Sequence, residues 1–178
     1  FVNNKKKLIA ITTIFLILVT GYFSFDAFKK KEKVNLANKF NLTIINFKTE
    51  NSEKTIEDLI NIIKENDNTY SPLALYFLID NNLVNEQEEI NFLFDELINK
   101  TNLEEEIKKL NIYKKALFNS SFVTENELLQ ILNPIVNSES IWKSHSLYLI
   151  AEYFYAKGEK QKAKEFFNQI LLLPNANN

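Results

Sequence analysis

The sequence predicts an all-α protein, in which a single N-terminal transmembrane helix is followed by a stack of helical pairs. The 178 residues include only two glycines and three prolines, too few for the turns of a β-sandwich or barrel. An uncharged apolar run stands near the N-terminus between lysine clusters, and the apolar residues beyond it recur at helical spacing. No segment alternates with period two for long, so no sheet is expected.

Composition excludes several classes of function. The chain has no cysteine, which rules out disulfides, a cysteine nucleophile, a zinc ribbon and a lipid-modified cysteine. A single histidine excludes most transition-metal chemistry, and no cofactor is expected. The net charge of -2 gives no general attraction to nucleic acid, so no nucleic-acid partner is expected. The length fits one ordinary domain, and residue 1 is Phe rather than Met, as expected of a fragment.

Residues 8–25 are predicted to form the transmembrane helix, after a lysine-rich tail at residues 1–7. Their sequence, LIAITTIFLILVTGYFSF, carries no charge and is just long enough to span a bilayer. Lysines flank it on both sides, and its second end is rich in the aromatic residues expected of an interfacial belt. We therefore expect a retained membrane anchor.

A cleaved signal peptide is the alternative interpretation of the same run. Its lysine-rich start and apolar centre fit such a peptide, and Val19-Thr20-Gly21 is a tolerable cleavage triplet. Flanking charge does not set the orientation, because three lysines precede the run and four follow it closely.

Residues 26–178 are predicted to form a helical repeat domain. Apolar residues between Val34 and Phe47 predict that the first helix continues out of the membrane. Four further apolar stripes are Ile56 to Ile63, Leu73 to Val84, Ile90 to Ile98 and Leu103 to Leu117. Another stripe runs from Leu128 to Leu132, and the last pair is expected over about 140–157 and 159–173.

Capping residues predict where several helices begin. Ser71 is expected to be an N-cap followed by Pro72, which is well tolerated at the first helical position. Two capping boxes are predicted, Thr101 with Glu104 and Thr124 with Glu127.

Three residues are predicted to end helices. Asn85 is expected to close a helix in the left-handed conformation, and Gly158 to form the turn of the last pair. Pro134 is expected to end or kink its helix.

The helical pairs repeat along the chain. A shift of about 73 residues superposes Asn85 on Gly158, and it also superposes Leu78 on Ala151, Ile90 on Ala163, Phe94 on Phe167 and Leu97 on Ile170. A shift of about 35 places Ala116 on Ala151, Leu128 on Ala163 and Leu132 on Phe167. Both fit a period of roughly 34 residues, so we expect three stacked pairs, each burying one face on the next.

The last unit, HSLYLIAEYFYAKGEKQKAKEFFNQILLLPN, resembles a tetratricopeptide repeat. Ala151 and Phe154 stand at the small and aromatic positions of its first helix, and Gly158 stands at the turn. Ala163 and Phe167 match the small and aromatic positions of the second helix. The resemblance implies a tetratricopeptide-like solenoid of helical pairs.

The order of features along nearly the whole chain also carries a resemblance. A lysine-rich start, one span and a long helix are followed by Tyr70-Ser71-Pro72-Leu73-Ala74 opening a middle pair, Trp142 opening the last pair and Leu173-Pro174 near the end. This order resembles the YfgM-like family of ancillary Sec translocon subunits, in a form similar to alphaproteobacterial tetratricopeptide-like membrane proteins. The resemblance implies a single-pass protein of the bacterial inner membrane, with its repeats in the periplasm and the Sec translocon and periplasmic chaperones as partners. An anchored or secreted adaptor of another envelope-assembly pathway is the alternative.

No constellation of residues predicts catalysis. His145 lies beside two serines, but no orienting carboxylate or oxyanion-hole turn accompanies it, so a surface or capping histidine is expected. The pair Glu139-Ser140 is similar to that of lytic transglycosylases, but no Gly-Leu-Met-Gln-like element follows. Ser138 and Ser140 are instead expected to be N-caps. We predict that the protein is not an enzyme and has no small-molecule substrate.

Clusters of like charge have structural interpretations. Glutamates 104–106, and those at 86, 88 and 89, are expected in first turns, where they complement the helix dipole rather than bind metal. Lysines 29, 30, 31 and 33 are candidates for binding anionic head groups or for anchoring the helix end at the interface.

The candidate protein-binding residues are Trp142, Tyr148, Tyr153 and Tyr155, which give the last pair a surplus of aromatic side chains. Core packing is the expected role for most of them. Helical spacing cannot place all four on one face, so an exposed subset is predicted to contact the partner.

Overall fold

The computed structural model describes residues 4–47 and 52–174, and the regular elements within these ranges are α-helices. They are α1 (Lys5–Ile45), α2 (Ser52–Lys64), α3 (Tyr70–Asp80), α4 (Gln87–Lys100), α5 (Glu105–Asn119), α6 (Glu125–Val136), α7 (Lys143–Ala156) and α8 (Lys160–Leu171). The all-α prediction is confirmed for this part of the chain. Residues 1–3 of the predicted tail, with 48–51 and 175–178, lie outside the described residues.

The chain divides into two compact units, Phe1–Lys48 and Thr49–Asn178. The first contains α1, a continuous helix of 41 residues, which makes it about 60 Å long. The predicted continuation of the helix beyond residue 25 is confirmed. The apolar part of α1 has a mean hydropathy of 2.2, so the helix is long and apolar enough for a membrane anchor or a signal sequence.

Packed helical pairs form the second unit. α7 packs extensively on α8 and α5 on α6, while α4 meets α5 and α6 meets α7 to join consecutive pairs. The core of α5 to α8 is apolar and tightly closed. Its fully buried members are Ala116, Leu128, Leu132, Ile135, Leu149, Ile150, Phe154 and Ala163.

The pair predicted to open at Tyr70, α3 with α4, is part of a group of three helices. α3 packs more extensively on α2 than on α4, and α2 also packs on α4. Four of the five buried residues of α3 have the spacing of one helical face, and α2 and α4 both pack on this helix. Its buried residues are Ser71, Pro72, Ala74, Leu75 and Leu78.

Ser71 does not cap α3, contrary to the sequence prediction. The helix begins at Tyr70, and Asp67 Oδ1 accepts the backbone N–H of Tyr70 and of the residue before it, both at 2.8 Å. The Ser71 hydroxyl instead donates to the Ile62 carbonyl of α2 at 2.9 Å. Pro72 consequently stands inside the first turn rather than at its first position.

One of the two predicted capping boxes is present. Glu127 donates its N–H to Thr124 Oγ1, and the Glu127 carboxylate accepts the Thr124 N–H at 2.8 Å. The box predicted for Thr101 and Glu104 is wrong, because Thr101 is the C-cap of α4 and Glu104, at the N-cap of α5, makes no capping hydrogen bond. The buried Thr101 hydroxyl contacts Asn66 Oδ1 at 3.4 Å, so a neighbour distant in sequence holds it.

The left-handed residue after α3 is Asn82, with φ of 50°, and not Asn85. It matches Gly158, with φ of 81°, since in both turns the next N–H bonds the carbonyl five residues earlier at 2.9 Å. The connection from α3 to α4 has six residues, against three between α7 and α8. A single shift of 73 residues therefore misaligns this turn.

Other helix ends and caps also differ from those predicted. α6 ends at Val136, two residues after Pro134. Ser138 is not an N-cap, because its hydroxyl donates to the Ile135 carbonyl at the end of α6. Ser140 does not cap α7 directly either, because the cap position is Trp142, although Ser140 Oγ accepts the Trp142 N–H at 3.1 Å.

Several side-chain hydrogen bonds between different elements join residues about one predicted repeat period apart. Tyr76 with Asn111 and Thr101 with Asn66 are each separated by 35 residues, and Lys162 with Glu125 by 37. Each pair of helices therefore contacts its neighbours in the stack rather than more distant parts of the chain.

The close contact between α7 and α8 at Ala163 predicts how a larger side chain would change the free energy of unfolding. Ala163 is 1% exposed, so Ala163→Leu should overpack the contact between α7 and α8 and cost about 1–3 kcal/mol. The exposed Lys160, at the start of the same helix, is the control, and Lys160→Gln should leave stability almost unchanged. Thermal unfolding of the two variants measures the difference, and equal melting temperatures would contradict the packing described here.

Candidate functional site

Two of the four candidate aromatic residues are structural. Trp142 stacks on Tyr113 of α5, with ring centroids 6.0 Å apart and an angle of 20° between the rings. Tyr153 donates its hydroxyl to the Val123 carbonyl at 3.0 Å. Both rings belong to the partly buried border of the core, where they join α7 to the preceding pair.

The other two candidates are exposed on one face of α7. Tyr148 is 49% exposed and Tyr155 is 61% exposed, and a separation of two helical turns places them in line. The Tyr148 ring meets Phe167 of α8 edge-on at 5.7 Å, which holds the ring in place. We call the stripe formed by His145, Tyr148, Glu152 and Tyr155 the tyrosine face.

The tyrosine face has a negative charge at its centre. Glu152 lies between the two tyrosines, and its carboxylate raises the pKa of Tyr148 through a hydrogen bond and through charge repulsion. Burial raises the pKa of the neighbouring Tyr113, with a further contribution from Glu152. The face therefore offers aromatic rings, hydroxyl groups and one carboxylate. This chemistry suits contact with a protein surface.

His145 lies exposed in the first turn of α7, as expected. Its Nδ1 is 3.4 Å from the Ser144 hydroxyl, and its ring lies 5.4 Å from Trp142 and 6.1 Å from Tyr113. Within the described part of the chain, no carboxylate bonds to this ring to orient it as a general base. The nearby serine is therefore not activated by the arrangement known from hydrolases.

Glu106 holds the segment that opens α7. Its Oε2 accepts the Ser140 hydroxyl at 2.7 Å and the Ile141 N–H at 3.2 Å. The Ser140 hydrogen bond is the main cause that lowers the pKa of Glu106, with a smaller contribution from Lys109. Ser140 is thus committed to a structural bond, while its neighbour Glu139 is exposed.

The two predicted clusters of glutamates lie at the starts of α4 and α5. Glu88 and Glu89 lie in the first turn of α4, and Glu105 and Glu106 in that of α5. Residues 4–47 and 52–174 contain no group of three or more His, Asp or Glu residues that could hold a metal ion.

A groove between α4, α5 and α6 was not predicted from the sequence. It has a volume of about 390 Å³ and is lined mainly by polar side chains, among them Gln87, Asn91, Asn119 and Gln130. Asn119 is buried and bonds to both Gln87 and Asn91 of α4. Their separations of 32 and 28 residues leave no local signal, because only the stacking of the helices brings them together.

Comparisons of the chain with protein-family models, with curated proteins and with solved structures give no match.

The bonds of Glu106 predict a pH-dependent effect on stability. Its pKa is lower in the folded chain than in the unfolded chain, so its contribution is present at neutral pH and is lost as pH falls through the folded pKa. Glu106→Gln should lower the melting temperature at pH 7, and the difference from the unchanged protein should shrink well below the ordinary glutamate pKa of about 4.3. Melting curves at pH 7 and pH 3 measure it. The matched control is Glu139→Gln, and the assignment fails if both variants behave alike.

Proposed function

We propose that the protein is a membrane-anchored scaffold of tetratricopeptide-like repeats, which binds proteins at the Sec translocon and periplasmic chaperones. Its place would be the bacterial inner membrane, with α1 as the single span and the repeats in the periplasm. The main support is the exposed tyrosine face, on a stack of helical pairs that follows an apolar helix. The translocon itself is proposed from the order of features along the sequence.

The packing of the second unit supports a solenoid. Helical repeats stack so that each unit contacts only its neighbours, and the interhelical hydrogen bonds at separations of 28 to 37 residues fit that geometry. Ala151 and Ala163 are small and fully buried where α7 and α8 pack, and Gly158 supplies their left-handed turn. These are the features expected of a tetratricopeptide-like pair.

The chemistry of α1 supports a retained anchor. Its threonine hydroxyls donate at 2.9 Å to carbonyls four residues earlier, which satisfies them without water. At the end of the apolar run, Lys30 pairs with Asp26 at 2.8 Å and Lys29 lies 4.8 Å from the centre of the Phe25 ring. Charged side chains therefore stand beside aromatic ones at this end of the apolar run, as at a membrane interface.

A fractionation experiment tests the anchor. We expect residues 8–25 to remain attached, so the protein should stay in the membrane pellet after carbonate extraction, and N-terminal sequencing should begin before residue 8. A control protein bearing a cleavable signal peptide should be released in the same extraction. A mature chain that begins near Tyr22 and washes off the membrane would refute a retained span.

Site-specific photo-crosslinking in native membranes tests the proposed partner. A crosslinking residue placed at Tyr148 or Tyr155 should capture translocon subunits or periplasmic chaperones, whereas the same residue at exposed Lys164 of α8 should capture far less. Changing both tyrosines to Ala should reduce co-purification of the partner with little loss of stability, because aromatic residues commonly dominate a binding interface. Capture of a different envelope complex from both positions would instead support the alternative adaptor.

A further inference from the structure

The groove between α4, α5 and α6 contains a fixed network of amide side chains. Asn119 Oδ1 accepts N–H groups from Gln87 and Asn91, each at 2.9 Å. Asn119 Nδ2 donates to Asn91 Oδ1 at 2.6 Å and to the Lys115 carbonyl at 2.8 Å. Both donors and both acceptor directions of the buried Asn119 are therefore used.

The two α4 members of this network keep unused hydrogen-bonding capacity. Gln87 uses one N–H, and Asn91 uses one N–H and one acceptor direction. Each therefore retains an N–H donor and a carbonyl acceptor. Both side chains are half-buried, line the groove and stand four residues apart on the same helix, so they lie one turn apart.

Such a pair suits the main chain of a polypeptide. A peptide unit offers one N–H and one C=O, and a side-chain amide with a free donor and a free acceptor matches both. Because Asn119 already holds the two amides, binding would lose little side-chain entropy. Val123 and Ile131 add apolar lining to the same groove.

The charges that line the groove favour a basic peptide. Glu88 and Glu127 are carboxylates, whereas the single lining cation, Lys115, is paired with Asp95 at 2.7 Å. Bonds from Thr124 lower the pKa of Glu127 and keep it ionised at neutral pH. Residues 52–174 carry 20 acidic residues and 12 lysines, so the surrounding field has the same sign.

We propose that this groove binds an extended polypeptide segment, whose main chain bonds to Gln87 and Asn91 and whose lysine or arginine side chain meets Glu88 and Glu127. The site shares no residue with the tyrosine face and goes beyond the proposed function. It gives the repeat domain a second protein-binding surface, which recognises the main chain and a positive charge rather than apolar side chains.

Peptide binding to the full chain in neutral phosphocholine nanodiscs tests this site. The probe is the fluorescein-labelled octapeptide SGKSGKSG, followed by fluorescence anisotropy at low ionic strength. Two companion probes are a version with glutamate for lysine and a version with sarcosine for glycine, which lacks those backbone N–H groups. We expect each change to weaken binding by about tenfold or more, as for the loss of a hydrogen bond or a charge pair.

Matched variants separate the groove from the general negative charge. Glu88→Lys should weaken binding of the lysine peptide by about tenfold, whereas Glu89→Lys, one residue further along α4 and outside the lining, should change it by about twofold or less. Gln130→Trp should obstruct the groove, and Asn99→Trp, at an exposed position of α4, should not. Melting curves confirm that each variant is folded.

The outcomes are distinct. The site is supported if Glu88→Lys and Gln130→Trp weaken binding of the lysine peptide while Glu89→Lys and Asn99→Trp do not, and if the sarcosine peptide binds weakly. If Glu88→Lys and Glu89→Lys weaken peptide binding equally, or if the glycine and sarcosine peptides bind equally well, charge attraction alone explains the binding and the proposed site is wrong. The proposed site is also wrong if no peptide binds. Crosslinking from Tyr148 or Tyr155 is read independently, so failure here is distinguishable from failure of the proposed function.

Discussion

Each helix of the second unit has an apolar stripe that it can bury only against neighbouring helices, and this requirement sets how the helices pack. α7 covers α8, α5 covers α6, and the pairs meet through α4 with α5 and α6 with α7. Small side chains such as Ala151 and Ala163 stand where two helices approach closely. The contacts of the core are consequently made between neighbouring helices of the packed pairs.

Polar side chains fix the position of one pair on the next. Apolar stripes alone tolerate sliding, but a buried amide or hydroxyl must find its partner, since an unpaired one costs about 1–3 kcal/mol. Asn111 is fully buried and accepts the Tyr76 hydroxyl at 2.9 Å, while Glu106 accepts the Ser140 hydroxyl at 2.7 Å. The network around Asn119 does the same between α4 and α5, and its unused donors and acceptors form the proposed peptide groove.

The segment that contains α7 has one packed side and one exposed side. Trp142 and Tyr153 face the preceding pair, while Tyr148 and Tyr155 lie on the tyrosine face. The two sets occupy different sides because α7 has 3.6 residues per turn. One side of α7 thus packs on the core, while the other side is exposed and available for binding.

Features that arise within a few residues could be predicted before any tertiary contact was known: the apolar run of α1, the period-3.6 stripes, the capping box of Thr124 and the turn at Gly158. These depend on local hydrogen bonding and hydropathy, which the chain carries wherever it folds. Contacts between elements and the lengths of their connections decide that α2 joins α3, that Ser71 bonds to Ile62 and Thr101 to Asn66, that Asn82 rather than Asn85 turns the chain, and which tyrosines are exposed. Those outcomes rest on contacts between residues up to 35 positions apart, or on a connection three residues longer than its counterpart, and no local pattern predicts them.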